Sequence, residues 1–299
     1  MKVGIIGAGS IAGTMAGTIR EMDCAQNYAV AARDYGRAAE FAQTYGFEKA
    51  YGSYEELVED AGVELVYIAT PHSHHYEHIK LCLNHGKHVL CEKSFTVNES
   101  QAREVLALAR EKKLLLTEAI WTRYMPMRKT LDSVLSSGVI GRPYMLTANL
   151  GYIISGKERI MRPELAGGAL LDVGIYPLNF ASMVFGDEVD SITGTAVMTE
   201  TGVDAQNSIT ITYKDGKMAA LCSSAMGLSD RRGIIYGDNG FIEVENINNC
   251  EGIRVYDRSR NMIASYDTPK QISGYEYEVE ACLRAIKEGA LECPEMPHE

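Results

Sequence analysis

Residues 3–12 read VGIIGAGSIA, and this stretch decides the fold. Val3 to Ile6 is an apolar run of strand length, and the G-x-G-x-x-A turn of Gly7, Gly9, Ser10, Ile11 and Ala12 opens directly into a helical pattern. Glycines there let the backbone approach a pyrophosphate, and the helix N-terminus stabilises its charge. Alone, such a turn is a weak signal. Further apolar runs at Tyr28–Ala32, Leu65–Ala69, His88–Cys91 and Leu114–Thr117 strengthen it, because helical patterns separate them around residues 11–21, 35–45, 54–61, 75–85 and 99–112. That rhythm predicts an α/β fold, a doubly wound parallel sheet with crossover helices, and makes the turn a dinucleotide site. Asn98 with Gln101 marks the start of the last of these helices.

Composition excludes several functions. The chain has 299 residues with 46% hydrophobic content, enough for two domains, and 29 Lys plus Arg against 40 Asp plus Glu leave a charge of -11. Such a balance disfavours nucleic acid and anionic membrane as partners and points to small molecules. Seven scattered cysteines without a C-x-x-C pair suit reduced thiols in a cytoplasm. No charged leader precedes the first strand, and no stretch is expected to reach the length of a membrane span.

Beyond residue 120 the pattern changes. Long strand-like segments at Pro143–Tyr152, Asp190–Thr199, Asn207–Tyr213, Lys217–Ser223, Gly233–Tyr236, Phe241–Glu245 and Ile253–Tyr256, with hairpin signals at Lys214-Asp215-Gly216 and Asp238-Asn239-Gly240, predict an open, mostly antiparallel sheet. The expected organisation is a dinucleotide-binding domain over 1–119 and an α+β substrate and oligomerisation domain over 120–299. One helix interrupts this half after GGALLDVGIY, residues 167–176, and places Asp172 and Tyr176 four residues apart on one face. Another spans Tyr275 to Glu288, ended by Gly289.

HVLCEKSF, residues 88–95, carries an apolar strand into the charged pair Glu92 and Lys93. Charge is costly to bury unless paired or used, and the carboxyl edge of a parallel sheet is where ligands bind. His72, His74, His75 and His78 read either as a polar helix start beside the ligand or as a metal site; without an H-E-x-x-H pattern, no metal is expected.

These motifs together resemble the Gfo/Idh/MocA oxidoreductase family. The stretches that carry the likeness are Gly7-Ala8-Gly9, Thr70-Pro71-His72, Gly86 to Lys93 and Gly167 to Tyr176, while Glu118 to Tyr124 resembles the branch of dimeric dihydrodiol dehydrogenases and NADP-dependent D-xylose dehydrogenases. The resemblance implies a Rossmann domain followed by an open antiparallel sheet often used for oligomerisation, and a homodimer is expected. It implies oxidation of a sugar or vicinal diol, with Lys93 beside the nicotinamide and the reacting hydroxyl and Glu92 next to it. Thr70, Pro71 and His72 would lie along the cofactor, supported by His75. Relatives have a proline where Ser94 stands, and a last helix that this chain is expected to lack.

An alcohol oxidation needs a proton acceptor. Tyr176 fits if a neighbouring cation lowers its pKa, which the Lys93 ammonium could do, or Lys93 could itself share the role; Asp172 would orient Lys93 or a substrate hydroxyl. Trp121 reads either as substrate-facing or as core between domains, and Arg123 either as substrate-binding or as a salt-bridge partner. The acid that binds the adenosine ribose in NAD-dependent relatives aligns with Ala32, and its loss, with Arg33 and Arg37 beside it, favours NADP. The competing reading turns Asp34 inward and keeps NAD. A noncatalytic NADP-binding sensor on the same fold is the alternative function; retention of Lys93, Asp172 and Tyr176 favours the enzyme.

Overall fold

The structure, a computed structural model, describes residues 1–298. The chain divides into two compact units: Met1–Tyr124 with the segment from Gln271 onward, and Met125–Lys270.

In the first unit β1 (Lys2–Ile6), β2 (Gln26–Ala31), β3 (Lys49–Tyr51), β4 (Leu65–Ile68), β5 (His88–Glu92) and β6 (Leu116–Ala119) pair in parallel in the order β3-β2-β1-β4-β5-β6. Between them run α1 (Ser10–Arg20), α2 (Tyr35–Tyr45), α3 (Tyr54–Glu59), α4 (His72–Asn84) and α5 (Glu99–Lys112). The central strands are buried on both faces, so their sequences are continuous apolar runs. The strand order reverses at β1 and β4, the switch point where open sheets of this kind bind ligands beyond the strand carboxyl ends. At the start of α5 the Asn98 side chain accepts from Gln101 N–H at 3.0 Å, and the Gln101 side chain accepts from Val97 N–H at 3.2 Å. The short strand β3 has no counterpart in the sequence reading, because three residues are too few to display a period.

The second unit begins with α6 (Pro126–Ser136), β7 (Pro143–Gly151), the single turn α7 (Glu158–Met161) and α8 (Ile175–Phe185). β8 (Val189–Met198), β9 (Asp204–Tyr213), β10 (Met218–Ser224), β11 (Gly233–Gly237), β12 (Gly240–Glu245), β13 (Gly252–Asp257) and β14 (Met262–Asp267) complete it. The sheet order is β14-β13-β12-β11-β7-β10-β9-β8, antiparallel except for the β7–β10 pair. Both predicted hairpins form, β9–β10 and β11–β12. The sequence reading omits β14, a six-residue exposed edge strand.

Two expectations are corrected. The boundary at 119/120 moves: α9 (Glu276–Glu288) and the residues after it return to the first unit, where Val279, Ala281, Cys282, Ala285 and Cys293 share a core with Val3, Ile5 and Leu90. Trp121 and Arg123, assigned to the second domain by sequence, therefore lie in the first unit. The run Pro163–Phe185 is also long and apolar enough to cross a membrane by length and composition, but 61% of its apolar window is buried inside the protein. Its hydrophobicity serves the core of the second unit.

Candidate active site

The loop after β1 is shaped by backbone constraints. Gly7 has φ +102°, and a Cβ there would stand 2.9 Å from Ala69 O at the end of β4. Only glycine meets both conditions. A Cβ at Gly9, by contrast, would meet nothing within 4 Å, so the protein's own packing does not require glycine there. A pyrophosphate against the helix end would be the missing neighbour. No side chain caps α1 among the described residues, and its first amides, Ser10 to Ala12, precede the first intrahelical bond, Gly13 N–H to Gly9 O at 3.0 Å. These amides and the helix dipole fit a bound phosphate.

Beyond β2, Ala32 is buried and Arg33 exposed. The Asp34 side chain accepts from Arg37 N–H at 2.7 Å, capping α2, which occupies the carboxylate that the NAD reading would turn inward. Arg37 reaches back, donating from Nε at 3.2 Å and Nη2 at 2.8 Å to Ala8 O. It thus braces the glycine loop.

At the next strand ends, His75 holds two segments together. Its ring nitrogens lie 2.8 Å from Ser94 O and 2.9 Å from Thr70 O. Burial lowers its pKa below the ordinary histidine value, against backbone contacts that favour the charged ring. His78 packs edge-on against Tyr54, its Nδ1 is 3.0 Å from Thr70 Oγ1, and burial lowers its pKa to about 4. Pro71 and His72 begin α4, with His72 buried.

Glu92 ends β5 as a buried carboxylate: Tyr67 Oη–H donates to its Oε1, and Lys93 N–H donates to Oε2 at 3.1 Å. The Lys93–Ser94 peptide is cis. Glu118, absent from the sequence-derived site, is the last residue but one of β6, 8% exposed, and accepts from Phe95 N–H at 3.0 Å, fixing the segment that follows Lys93. Burial pushes its carboxyl up to about 7, opposed by the Phe95 amide and by the Arg123 guanidinium. Trp121 stacks on Tyr275 with centroids 4.3 Å apart, so one face of its indole is covered from within the same unit.

In the second unit Asp172 lies on a π-helical turn, Leu170–Gly174, that leads into α8, and Tyr176 is in the first turn of that helix. Such turns are frequent at functional sites. Both side chains are largely buried. Arg159 Nη1 donates to Asp172 Oδ1 at 2.6 Å. Asp204 Oδ2 accepts from Leu170 N–H and from Asn207 Nδ2, each at 2.8 Å, securing the turn to β9.

Residues 1–120 match the oxidoreductase family with an NAD-binding Rossmann fold, and residues 129–243 match the Gfo/Idh/MocA C-terminal domain. The human trans-1,2-dihydrobenzene-1,2-diol dehydrogenase is 36% identical over 306 residues, covering 99% of this chain and 91% of its own. The chain belongs to the Gfo/Idh/MocA family. The corresponding enzyme of Sus scrofa is 42% identical over 234 residues, 77% of this chain and 70% of its own. Among solved structures, the aldose-aldose oxidoreductase of Caulobacter crescentus superposes with TM-score 0.90 at 18% identity over 100% of this chain and 92% of its own. A 3-ketoreductase from Actinomadura kijaniata, solved with NADP, superposes with TM-score 0.89 at 24% identity over 97% and 90%.

The first unit of this Gfo/Idh/MocA protein thus brings the glycine loop, Arg33, Arg37, Thr70 to His75, Glu92, Lys93 and Arg123 to the strand carboxyl ends and the segments that follow them; the second carries Asp172 and Tyr176. Sequence reasoning missed Glu118 as a site residue and Arg159 altogether. Glu118 was within reach, as a lone carboxylate directly after the apolar run Leu114–Thr117.

Proposed function

We propose that this protein is an NADP-dependent dehydrogenase that oxidises a hydroxyl-bearing carbon of a sugar or vicinal diol. The observation that carries this reading is that one sheet edge holds both the uncapped helix end behind Gly7 and Gly9 and the strand end bearing Glu92 and Lys93. The amides of Ser10 to Ala12 would hold the pyrophosphate, and Arg33 with Arg37 the 2′-phosphate. Ala32 presents no acid to repel that phosphate, and Asp34 is engaged as a helix cap. When bound, the nicotinamide supplies hydride acceptance. Tyr176 takes the hydroxyl proton, with Lys93 the other group able to do so.

The relatives named as diol dehydrogenases support a diol, and the aldose-aldose oxidoreductase fold supports a sugar. A homodimer is proposed through the second unit's sheet, where Tyr144, Ile192, Val197, Met198 and Met218 are exposed large apolar side chains. The free, scattered cysteines support a cytoplasmic setting.

The test is an absorbance assay of nicotinamide reduction across aldoses and vicinal diols with NADP and with NAD. Turnover with NADP and a member of either class is expected. Tight NADP binding without turnover of any would replace the enzyme with a sensor. Tyr176→Phe is expected to abolish the limb of the rate–pH profile that reports proton acceptance; an unchanged profile assigns the proton to Lys93.

A further inference from the structure

Asp172 is 5% exposed, and a buried carboxylate requires a partner. Arg159 provides one through a charge-assisted bond of 2.6 Å to Oδ1, from a guanidinium that itself remains partly open to solvent. Arg159 stands on α7, a four-residue turn too short to hold its own shape. Other contacts hold it. Ile160 is buried, Gly168 N–H donates to Ile160 O at 2.8 Å, and Gly167 N–H donates to Arg162 O at 3.0 Å. Gly167 makes the close approach feasible, since a Cβ there would fall 2.4 Å from Ile160 O and 2.7 Å from Arg159 O. Gly168, at φ +103°, lies against Asp204, the residue that also binds Leu170 N–H. The Gly-Gly pair therefore joins two pieces of backbone, one bearing Arg159 and the other Asp172.

We propose that Arg159 is the positioning residue for Asp172, fixing the direction of its carboxylate during turnover. This rests on the reading of Asp172 as an active-site group. A guanidinium suits the task because its planar group holds the direction of its N–H more firmly than a freely rotating ammonium does.

The experiment compares Arg159→Ala, Arg159→Lys, Asp172→Asn and the Arg159→Ala/Asp172→Asn double variant on the aldose or diol that the unaltered protein oxidises fastest. Arg159→Ala is expected to lower kcat about tenfold to 100-fold, as a misplacement of about 1 Å can, while leaving the KM for NADP unchanged. Arg159→Lys should recover part of the rate, and added guanidinium ion at millimolar concentration should restore kcat in Arg159→Ala but not in the double variant. The double variant should be no slower than Asp172→Asn alone. Normal kcat in Arg159→Ala alongside a crippled Asp172→Asn overturns the role of Arg159. A slow Arg159→Ala that neither lysine nor guanidinium rescues, with a lowered unfolding midpoint, makes the contact merely structural and overturns it as well. Normal turnover in Asp172→Asn overturns instead the reading of Asp172 on which the proposal stands.

Discussion

The glycine loop of the first unit and the Asp172 turn of the second are built by different means. Around Gly7 the constraint is local and made of backbone: a positive φ, a carbonyl 2.9 Å from where a Cβ would be, and a helix start with no side-chain cap among the described residues. Around Asp172 it is made of side chains distant in sequence, with Arg159 thirteen residues before it and Asp204 bound to the same turn. A backbone-made site tolerates few residues but is marked in the sequence; a side-chain-made site is hidden there and more open to substitution.

That contrast meets its limit at Lys93, a side chain of the first unit. Lys93→Met is expected to lower kcat/KM by about 100-fold or more with the fold intact, the lower range for lost acid–base assistance. Near-normal steady-state rates would remove Lys93 from the chemistry. Gly7→Ala probes the backbone half directly. Relieving its strain of about 1–3 kcal/mol requires the loop to shift out of its phosphate-binding shape, weakening NADP roughly tenfold to 100-fold in a fluorescence titration. Unchanged affinity would mean that the loop is not backbone-limited. Arg33→Ala should raise the KM for NADP roughly tenfold and barely alter that for NAD, because only the former loses an ion pair. Equal effects on the two cofactors would sink the assignment.

The smallest expected effect concerns Glu118 and pH. Its folded pKa, raised from 4.5 to about 7, means that the folded state binds the proton more tightly, so stability declines as pH rises from 4.5 to 7. The full shift corresponds to roughly 3 kcal/mol, which relaxation around the buried charge should reduce to about 1 kcal/mol. Glu118→Gln keeps an acceptor for Phe95 N–H and removes the titration. Urea unfolding at pH 5 and pH 8 should find the variant gaining on the unaltered protein at the higher pH; parallel behaviour would disprove it.

How much was legible follows the same division. The apolar runs of β1, β4 and β5, the Asn98 cap and both glycine hairpins were readable because each depends on residues within a few positions. β14 was not, being shorter than the equally exposed edge strand β8 that was read, and the return of α9 to the first unit depends on a packing partner far back in the chain. Of the candidate site, the nucleotide loop and the Glu92–Lys93 pair stood out by motif. Arg159 did not, since an arginine in a polar loop looks like any other; only Gly167-Gly168 hinted that two backbones meet there.

The return of α9 also bears on the order in which the protein is made. Residues 125–270 are inserted between β6 and α9, so when Tyr124 has been synthesised the first core still lacks Val279, Cys282 and Cys293. At about 5–20 residues per second the ribosome needs roughly 10 to 30 s to supply them. The inserted unit has all its strands by Asp267, so its sheet can form while the first core still waits for α9.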